Sequence, residues 1–223
     1  MRTTPPERIA EYRSLGWWSD VTVGDLFARA SAEPGRTAVI DPANRAELGL
    51  GTPRRLSYAE LESAVTAQSA QLLRLGLRPG DVVLAQLPNV WECVALYLAA
   101  ARIGVVLSPV AMQYRRHELE RIAALLEPRA IVTVREFKGF DHAALGAELA
   151  GACGARHLVA CGPVPDGAIA LSAGPATADD AAIVAQAAAP SADDVFTICW
   201  TSGTEGTPKG VPRIFYREIL PLR

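Results

Sequence analysis

Short apolar runs alternate along the chain with segments in which apolar side chains recur every three or four residues. The runs have the length of strands, and the amphipathic segments have the length of helices. Strands separated by helices are typical of βαβ units, so the pattern predicts an α/β fold with a mostly parallel sheet flanked by helices. The predicted strands are 38–40, 82–87, 105–107, 130–134, 157–161 and 195–200, and the predicted helices are 58–75, 90–102, 116–126 and 143–150.

Polar residues at the ends of these segments indicate where helices begin. Ser57 and Glu60 have the spacing of a capping box, in which each side chain accepts a hydrogen bond from a free backbone N–H of the other residue. Asn89 and Glu92 repeat that spacing, so the same cap is predicted ahead of the helix 90–102. We interpret 41–55 as a loop and the Ala-, Gly- and Pro-rich segment 163–190 as a surface connection with at most a poor helix.

Composition narrows the class of protein. The chain has 223 residues, half of them hydrophobic, and a formal net charge of −2, which excludes a disordered chain and a basic nucleic-acid-binding surface. Four cysteines and three histidines lack metal-site spacing, so the cysteines are interpreted as structural thiols and no metal site is predicted. There is neither a secretory signal nor an uninterrupted membrane span, so a cytoplasmic protein is predicted.

One segment, 201–210, has residue types that require a chemical explanation. Its three glycines leave backbone N–H groups uncovered, its hydroxyls add neutral donors, and Lys209 adds a positive charge. This combination suits a polyphosphate. The segment is not a Walker A loop, because Pro208 and Gly210 flank the lysine. It is not a dinucleotide fingerprint, because Thr201 occupies the first glycine position. The alternative is a flexible turn rich in Ser, Thr and Gly.

The whole string, Thr-Ser-Gly-Thr-x-Gly-x-Pro-Lys-Gly after an apolar strand, resembles the phosphate-binding loop of the adenylate-forming (AMP-binding) enzymes. That family includes acyl-CoA synthetases and aryl-acid AMP ligases. Residues 56–61 resemble its early L-T/S-Y-x-E-L motif, and 98–110 resemble its A-x-x-x-G-x-x-x-x-P segment. Residues 13–26 are similar to the start of aryl- and alicyclic-acid CoA ligases. The resemblance covers 13–213, with 1–12 as an N-terminal arm and 214–223 as a divergent tail.

The resemblance implies the N-terminal, incomplete part of the adenylate-forming fold, and an acid–CoA ligase as the whole enzyme. Such an enzyme activates a small carboxylic acid with ATP and Mg²⁺ to an acyl-adenylate, releases pyrophosphate and transfers the acyl group to coenzyme A. By position in the motif, six residues would hold the β and γ phosphates: Thr201, Ser202, Gly203, Thr204, Gly206 and Lys209. Glu205 stands where the family usually has Thr, and Trp200 where it has Tyr or Phe.

The family's adenine, ribose, hinge and lid motifs follow the phosphate loop, so the resemblance predicts a truncated and inactive portion without a complete catalytic set. A frameshift, a truncated gene and an expression boundary remain open as origins. One alternative is a non-enzymatic remnant or interaction module with a vestigial phosphate loop. Another is assembly with a separately encoded C-terminal part. We interpret Trp17 and Trp18 as anchors of the arm, and His117, Arg115 and Arg116 as surface residues, with a contact to a coenzyme A phosphate as the alternative for the arginines.

Overall fold

The computed structural model describes residues 2–201 and 208–215. The helices in these ranges are α1 (Pro6–Ser14), α2 (Val23–Ala30), α3 (Tyr58–Arg74), α4 (Trp91–Arg102), α5 (Arg116–Leu126), α6 (His142–Cys153) and α7 (Ala178–Ala185). The strands are β1 (Thr37–Ile40), β2 (Arg55–Ser57), β3 (Val82–Gln86), β4 (Val106–Pro109), β5 (Ala130–Val134), β6 (Glu136–Phe137), β7 (Phe140–Asp141), β8 (His157–Cys161), β9 (Ile169–Ala170), β10 (Val195–Thr201) and β11 (Lys209–Ile214).

Seven of these strands form one sheet in the order β11-β10-β4-β3-β5-β8-β9. Every neighbouring pair is parallel except β10 and β11, which are antiparallel. The α/β fold with a mostly parallel sheet flanked by helices is therefore confirmed. Parallel neighbours end at the same edge of a sheet, so the carboxyl ends of β3, β4 and β10 share one edge.

Alternate residues of the central strands enter cores on opposite faces of the sheet. Val83 and Val132 pack with Leu96 of α4, and with Ile103 directly after it, on one face. Leu84, Ile131 and Leu158 pack on the other face with residues of α5 and α6. Both faces of the central strands are thus covered by helices, which explains why their sequences are continuously apolar.

The ends of α3 agree with the sequence prediction. The Ser57 hydroxyl accepts a hydrogen bond from the Glu60 backbone N–H at 3.3 Å, and the Glu60 carboxylate accepts one from the Ser57 N–H at 2.8 Å. The Ser57 hydroxyl also donates to the Glu60 carboxylate, and the two bonds that the carboxylate accepts from Ser57 lower the pKa of Glu60. Gly76 follows the helix with φ +80°, a backbone conformation that favours glycine.

The cap predicted for α4 from Asn89 and Glu92 is wrong. The residue before the helix, Val90, makes no side-chain cap. Instead, the Asp41 carboxylate accepts a hydrogen bond from the Trp91 N–H at 2.9 Å. Glu92 is buried and forms an ion pair with Arg45. A buried carboxylate needs a cationic partner, and this requirement overrides the local capping pattern.

Two segments interpreted as irregular contain more structure than predicted. The range 41–55 includes a short 3-10 helix, Arg45–Leu48, and the first residue of β2. The range 163–190 includes β9 and α7, and Thr177 and Asp180 form a capping box at the start of α7. Arg74 of α3 pairs with Asp180 at 2.5 Å, which joins α7 to the rest of the molecule. An Asp in the third position of the cap provides the same acceptor as the Glu of the usual pattern.

The residues that directly follow the N-terminal arm pack against the start of β10. Arg13 forms an ion pair with Asp193 at 3.0 Å, and Trp18 packs against a core cluster that includes Val195 and Ile198. Trp17 is 57% exposed and lies beside the ring of Tyr12. Trp18 is therefore the deeper of the two predicted anchors. Within the described ranges, no helix has the length and apolar character needed to cross a membrane.

Candidate functional site

The antiparallel pair β10–β11 brackets the predicted phosphate loop. Thr201 is the last residue of β10, Lys209 is the first of β11, and the two are directly opposite each other in the register. Both side chains are exposed. The pair therefore brings a hydroxyl and an ammonium group together beside the carboxyl end of β10. Four predicted site residues lie outside the described residues: Ser202, Gly203, Thr204 and Gly206. Glu205 lies there too.

Lys209 carries an exposed positive charge at this edge of the sheet. Its ammonium group forms no ion pair with any residue in 2–201 or 208–215. An exposed ammonium opposite an exposed hydroxyl, at an edge of a parallel sheet, suits an anionic ligand with several oxygen acceptors. No group of three or more His, Cys, Asp or Glu in the described ranges is arranged to hold a metal ion.

Next to this pair in β10, Trp200 connects its strand to β4 and β11. The indole N–H of Trp200 donates a hydrogen bond to the Ser108 hydroxyl of β4 at 2.8 Å. Ser108 is fully buried, and its hydroxyl donates to the Ile198 carbonyl at 3.2 Å. Trp200 is also directly opposite Gly210 in the register. Trp200, one of the residues that depart from the family pattern, thus contacts both strands next to its own.

The edge of the sheet also contains a polar arrangement that sequence reasoning missed. The side-chain amide of Gln86, at the end of β3, donates to the carbonyls of Ala111 and Tyr114 at 2.9 and 3.1 Å. Its oxygen accepts a hydrogen bond from His142 Nδ1 at 2.9 Å. Gln86 therefore fixes the segment after β4. The sequence feature that could have indicated this arrangement is a glutamine in the otherwise apolar strand β3.

His142 and Arg115 complete this arrangement. His142 is 1% exposed, and burial together with the nearby charge of Arg115 lowers its pKa to about 4. Arg115 is half-buried, lies 4.1 Å from the centre of the Phe140 ring, and donates to the Met112 and Tyr114 carbonyls. The interpretation of Arg115 as an ordinary surface charge is therefore wrong. Arg116 and His117 are exposed, as predicted.

Two open cavities lie beside the start of α4. One, of about 520 Å³, is at the carboxyl ends of β3 and β4, between residues 85–89 and 109–113. The other, of about 560 Å³, is mainly apolar and lies between α2, β1 and the exposed side of α4. Neither is lined by Thr201 or Lys209.

All four cysteines are free, and burial raises the pKa of Cys93 to about 11, which agrees with the interpretation of a structural thiol.

A mostly parallel sheet with the exposed pair Thr201 and Lys209 at its carboxyl edge defines an α/β protein with a candidate anion-binding site. The AMP-binding enzyme family matches residues 26–217 of this chain. The chain therefore belongs to the AMP-binding enzyme family.

Two of its relatives have names that include an aromatic acid. It is 33% identical over 217 residues to the 2-hydroxy-7-methoxy-5-methyl-1-naphthoate–CoA ligase of Streptomyces carzinostaticus, covering 94% of this chain and 37% of that protein. It is 32% identical over 212 residues to the salicyl-AMP ligase / salicyl-S-ArCP synthetase of Mycobacterium tuberculosis, covering 94% of this chain and 36% of that protein. The apo structure of Mycobacterium smegmatis MbtA has a TM-score of 0.77 and 27% identity, covering 96% of this chain and 37% of that chain. The chain thus spans little more than a third of the length of these relatives.

Proposed function

We propose that this chain contributes the polyphosphate-binding part of an enzyme that activates a carboxylic acid with ATP. The observation that carries the proposal is the pairing of Thr201 with Lys209 across the loop 202–207. With family membership over 26–217, this pairing supports the same role for Ser202, Gly203, Thr204 and Gly206 between them. Mg²⁺, when bound with ATP, supplies further positive charge at the phosphates.

In the proposed reaction a carboxylate oxygen attacks the α-phosphorus of ATP. The new O–P bond gives an acyl-adenylate, and the bond from the α-phosphorus to the bridging oxygen breaks to release pyrophosphate. Negative charge accumulates on the departing β and γ phosphates. Donors held opposite that charge lower the barrier, and this is the role we assign to the Thr201 hydroxyl and the Lys209 ammonium.

We further propose an aromatic acid as substrate and coenzyme A as acyl acceptor. The acid is suggested by the naphthoate and salicylate in the names of the relatives. The first of these relatives is a CoA ligase, whereas the second is named for transfer to a carrier protein. Comparing thioester formation with coenzyme A and with a phosphopantetheinylated carrier protein distinguishes the two acceptors. ATP and coenzyme A are cytoplasmic metabolites, so we assign the reaction to the cytoplasm.

The first test is thermal melting of the 223-residue chain with and without Mg-ATP. A ligand that binds only the folded state stabilises it, and a tenfold excess over Kd contributes about 1.4 kcal/mol. For a chain of this size, we expect the melting temperature to rise by roughly 3–6 °C. Lys209→Ala should abolish most of this rise because it removes the positive charge of the pair.

The chain offers a matched control because it contains only two lysines, Lys138 and Lys209. Lys138 lies between β6 and β7, beyond β5, which is three strands from β10 in the sheet. Lys138→Ala should therefore leave the rise unchanged. Acetylation with a lysine reagent, read by mass spectrometry, should be slowed by Mg-ATP at Lys209 alone. A cooperative melt without a shift and without protection would contradict the proposal and favour the vestigial loop.

A further inference from the structure

Trp200 lies where two independent restraints on the loop meet. The first connects β10 to β4, whose backbone register pairs Thr197 with Leu107. Beyond that pair, side chains join the two strands: the Trp200 indole N–H donates to Ser108, and the Ser108 hydroxyl donates to the Ile198 carbonyl. Because Ser108 is fully buried in β4, it gives the indole a fixed point of attachment.

The second restraint connects Trp200 to β11. A Cβ atom at position 210 would lie 3.1 Å from Cη2 and 3.3 Å from Cζ3 of the Trp200 ring. It would also lie 3.2 Å from Cγ2 of Ile198. Such distances are tight for a Cβ contact, so the ring covers the backbone of Gly210 closely and the glycine is needed for space. An aromatic ring packed over a cross-strand glycine stabilises the strand pair.

These restraints act on the cross-strand pair next to the proposed phosphate donors, Thr201 and Lys209. Trp200 and Gly210 form the cross-strand pair that directly precedes Thr201 and Lys209. Contacts that fix Trp200 against Gly210 therefore also fix the distance between Thr201 and Lys209. A site whose donors are already in place loses less conformational entropy when a ligand binds, and its affinity is higher for that reason.

We propose that Trp200 is a positioning residue for the polyphosphate site: held by Ser108 and packed on Gly210, it sets the distance between Thr201 and Lys209. This inference rests on the proposed function. It assigns a role to one of the residues at which this chain departs from the family pattern, and it makes Ser108, 92 residues earlier in the chain, part of the same unit.

The test measures Mg-pyrophosphate binding by isothermal titration calorimetry, with wild type, Trp200→Phe, Ser108→Ala and the double variant. Phenylalanine keeps a ring over Gly210 but has no N–H donor. Trp200→Phe removes one hydrogen bond, which predicts roughly 3- to 10-fold weaker binding. Ser108→Ala also removes the bond to the Ile198 carbonyl, so its effect should be at least as large. Both substitutions remove the same bond, so the double variant should bind no more weakly than the weaker single variant.

Two controls separate positioning from general loss of stability. Val195→Ala removes a buried side chain at the other end of β10, so it should lower the free energy of unfolding and leave the dissociation constant unchanged. Trp17→Phe changes a tryptophan that is 57% exposed and far along the chain from β10, and it should alter neither quantity. Equal binding by wild type, Trp200→Phe and Ser108→Ala would overturn the proposal. Weaker binding by Val195→Ala, when it is no less stable than Trp200→Phe or Ser108→Ala, would also overturn it.

A second measurement does not depend on phosphate binding. Hydrogen exchange of the Trp200 indole N–H and of the backbone amides of Lys209, Val211 and Arg213 reports on the restraint itself. We expect Ser108→Ala to accelerate exchange at the indole and at these amides, because it removes the acceptor. If wild type fails to bind pyrophosphate, the proposed function fails, and exchange alone decides whether Trp200 fixes the strand pair. Unchanged exchange in Ser108→Ala overturns the inference whether or not phosphate binds.

Discussion

His142 is a neutral histidine held among groups that oppose its protonation. Its Nδ1 donates to the Gln86 side-chain oxygen, since the Gln86 nitrogen is already the donor to two carbonyls. The rings of Phe137 and Phe140 lie 6.2 and 4.9 Å from it, and its Nε2 has no hydrogen-bond partner among the described residues. Protonation at Nε2 would create an unpaired buried charge close to Arg115, against which Asp141 offers partial compensation.

Stability should therefore fall as the pH is lowered from 7.5 to 5. The pKa of His142 is about 4 in the folded chain against 6.5 for an ordinary histidine, so between these values the unfolded state binds the proton more readily. Linkage then makes the free energy of unfolding increase with pH in this window, with a loss of about 2 kcal/mol at pH 5. Urea unfolding at each pH measures this loss.

His142→Asn should reduce that pH dependence, since the amide N–H₂ can replace the donor and does not titrate in this range. His117→Asn is the matched control: His117 is exposed on α5, so its replacement should leave the slope unchanged. An equal slope in His142→Asn and wild type would assign the pH dependence to other groups.

At the scale of elements, the ends of helices show which features can be predicted from the sequence and which cannot. The cap of α3 was predictable because both partners lie within four consecutive residues, Ser57 to Glu60. The cap of α4 was not, because Asp41, its acceptor, is 50 positions before Trp91. Five strands of the sheet, β3, β4, β5, β8 and β10, were likewise predictable from local patterns, whereas β9 and β11 were not predicted. The contact of Trp200 with Ser108 was not, since it joins residues 92 positions apart.

Asp41, Arg45 and Glu92 join β1, the 3-10 helix and the start of α4. Arg45 donates to Glu92 at 2.5 and 2.8 Å and lies 3.3 Å from Asp41, and all three residues are buried. Asp41 also accepts from the backbone N–H of Arg54 at 3.0 Å and from that of Trp91. The group contains two carboxylates and one cation, so its members are not equivalent.

We expect Arg45→Met to destabilise the fold much more than Glu92→Gln. Loss of the arginine leaves two carboxylates buried without a cation, at a cost of roughly 3–5 kcal/mol. Loss of the Glu92 charge leaves Arg45 paired with Asp41, and the cost should be about 1–3 kcal/mol. The double variant should be more stable than Arg45→Met alone, because it removes one of the uncompensated carboxylates. Urea unfolding measures all three, and the opposite order of the single variants would contradict this account.

At the scale of the whole molecule, the described residues form both faces of the central sheet, yet the chain spans about 37% of the length of its relatives. We propose that residues 13–213 are the N-terminal part of an adenylation domain, with 1–12 as an arm and 214–223 as a divergent tail. A chimera tests this division: residues 13–213 replace the matching portion of the M. tuberculosis salicyl-AMP ligase, to which they are 32% identical over the aligned range.

The chimera should catalyse salicylate-dependent ATP–pyrophosphate exchange, whereas the 223-residue chain alone should not. Adenylation needs groups that bind the adenine, the ribose and the acid as well as the phosphates, and the phosphate donors of this chain can stabilise only the leaving group. Lys209→Ala in the chimera should lower kcat/KM by roughly 10²- to 10³-fold, the typical effect of removing one donor to developing charge. Lys138→Ala should have no effect. Exchange by the isolated chain would refute the division. A folded chimera that is insensitive to Lys209→Ala would refute the phosphate role, because the departing charge would then be stabilised elsewhere.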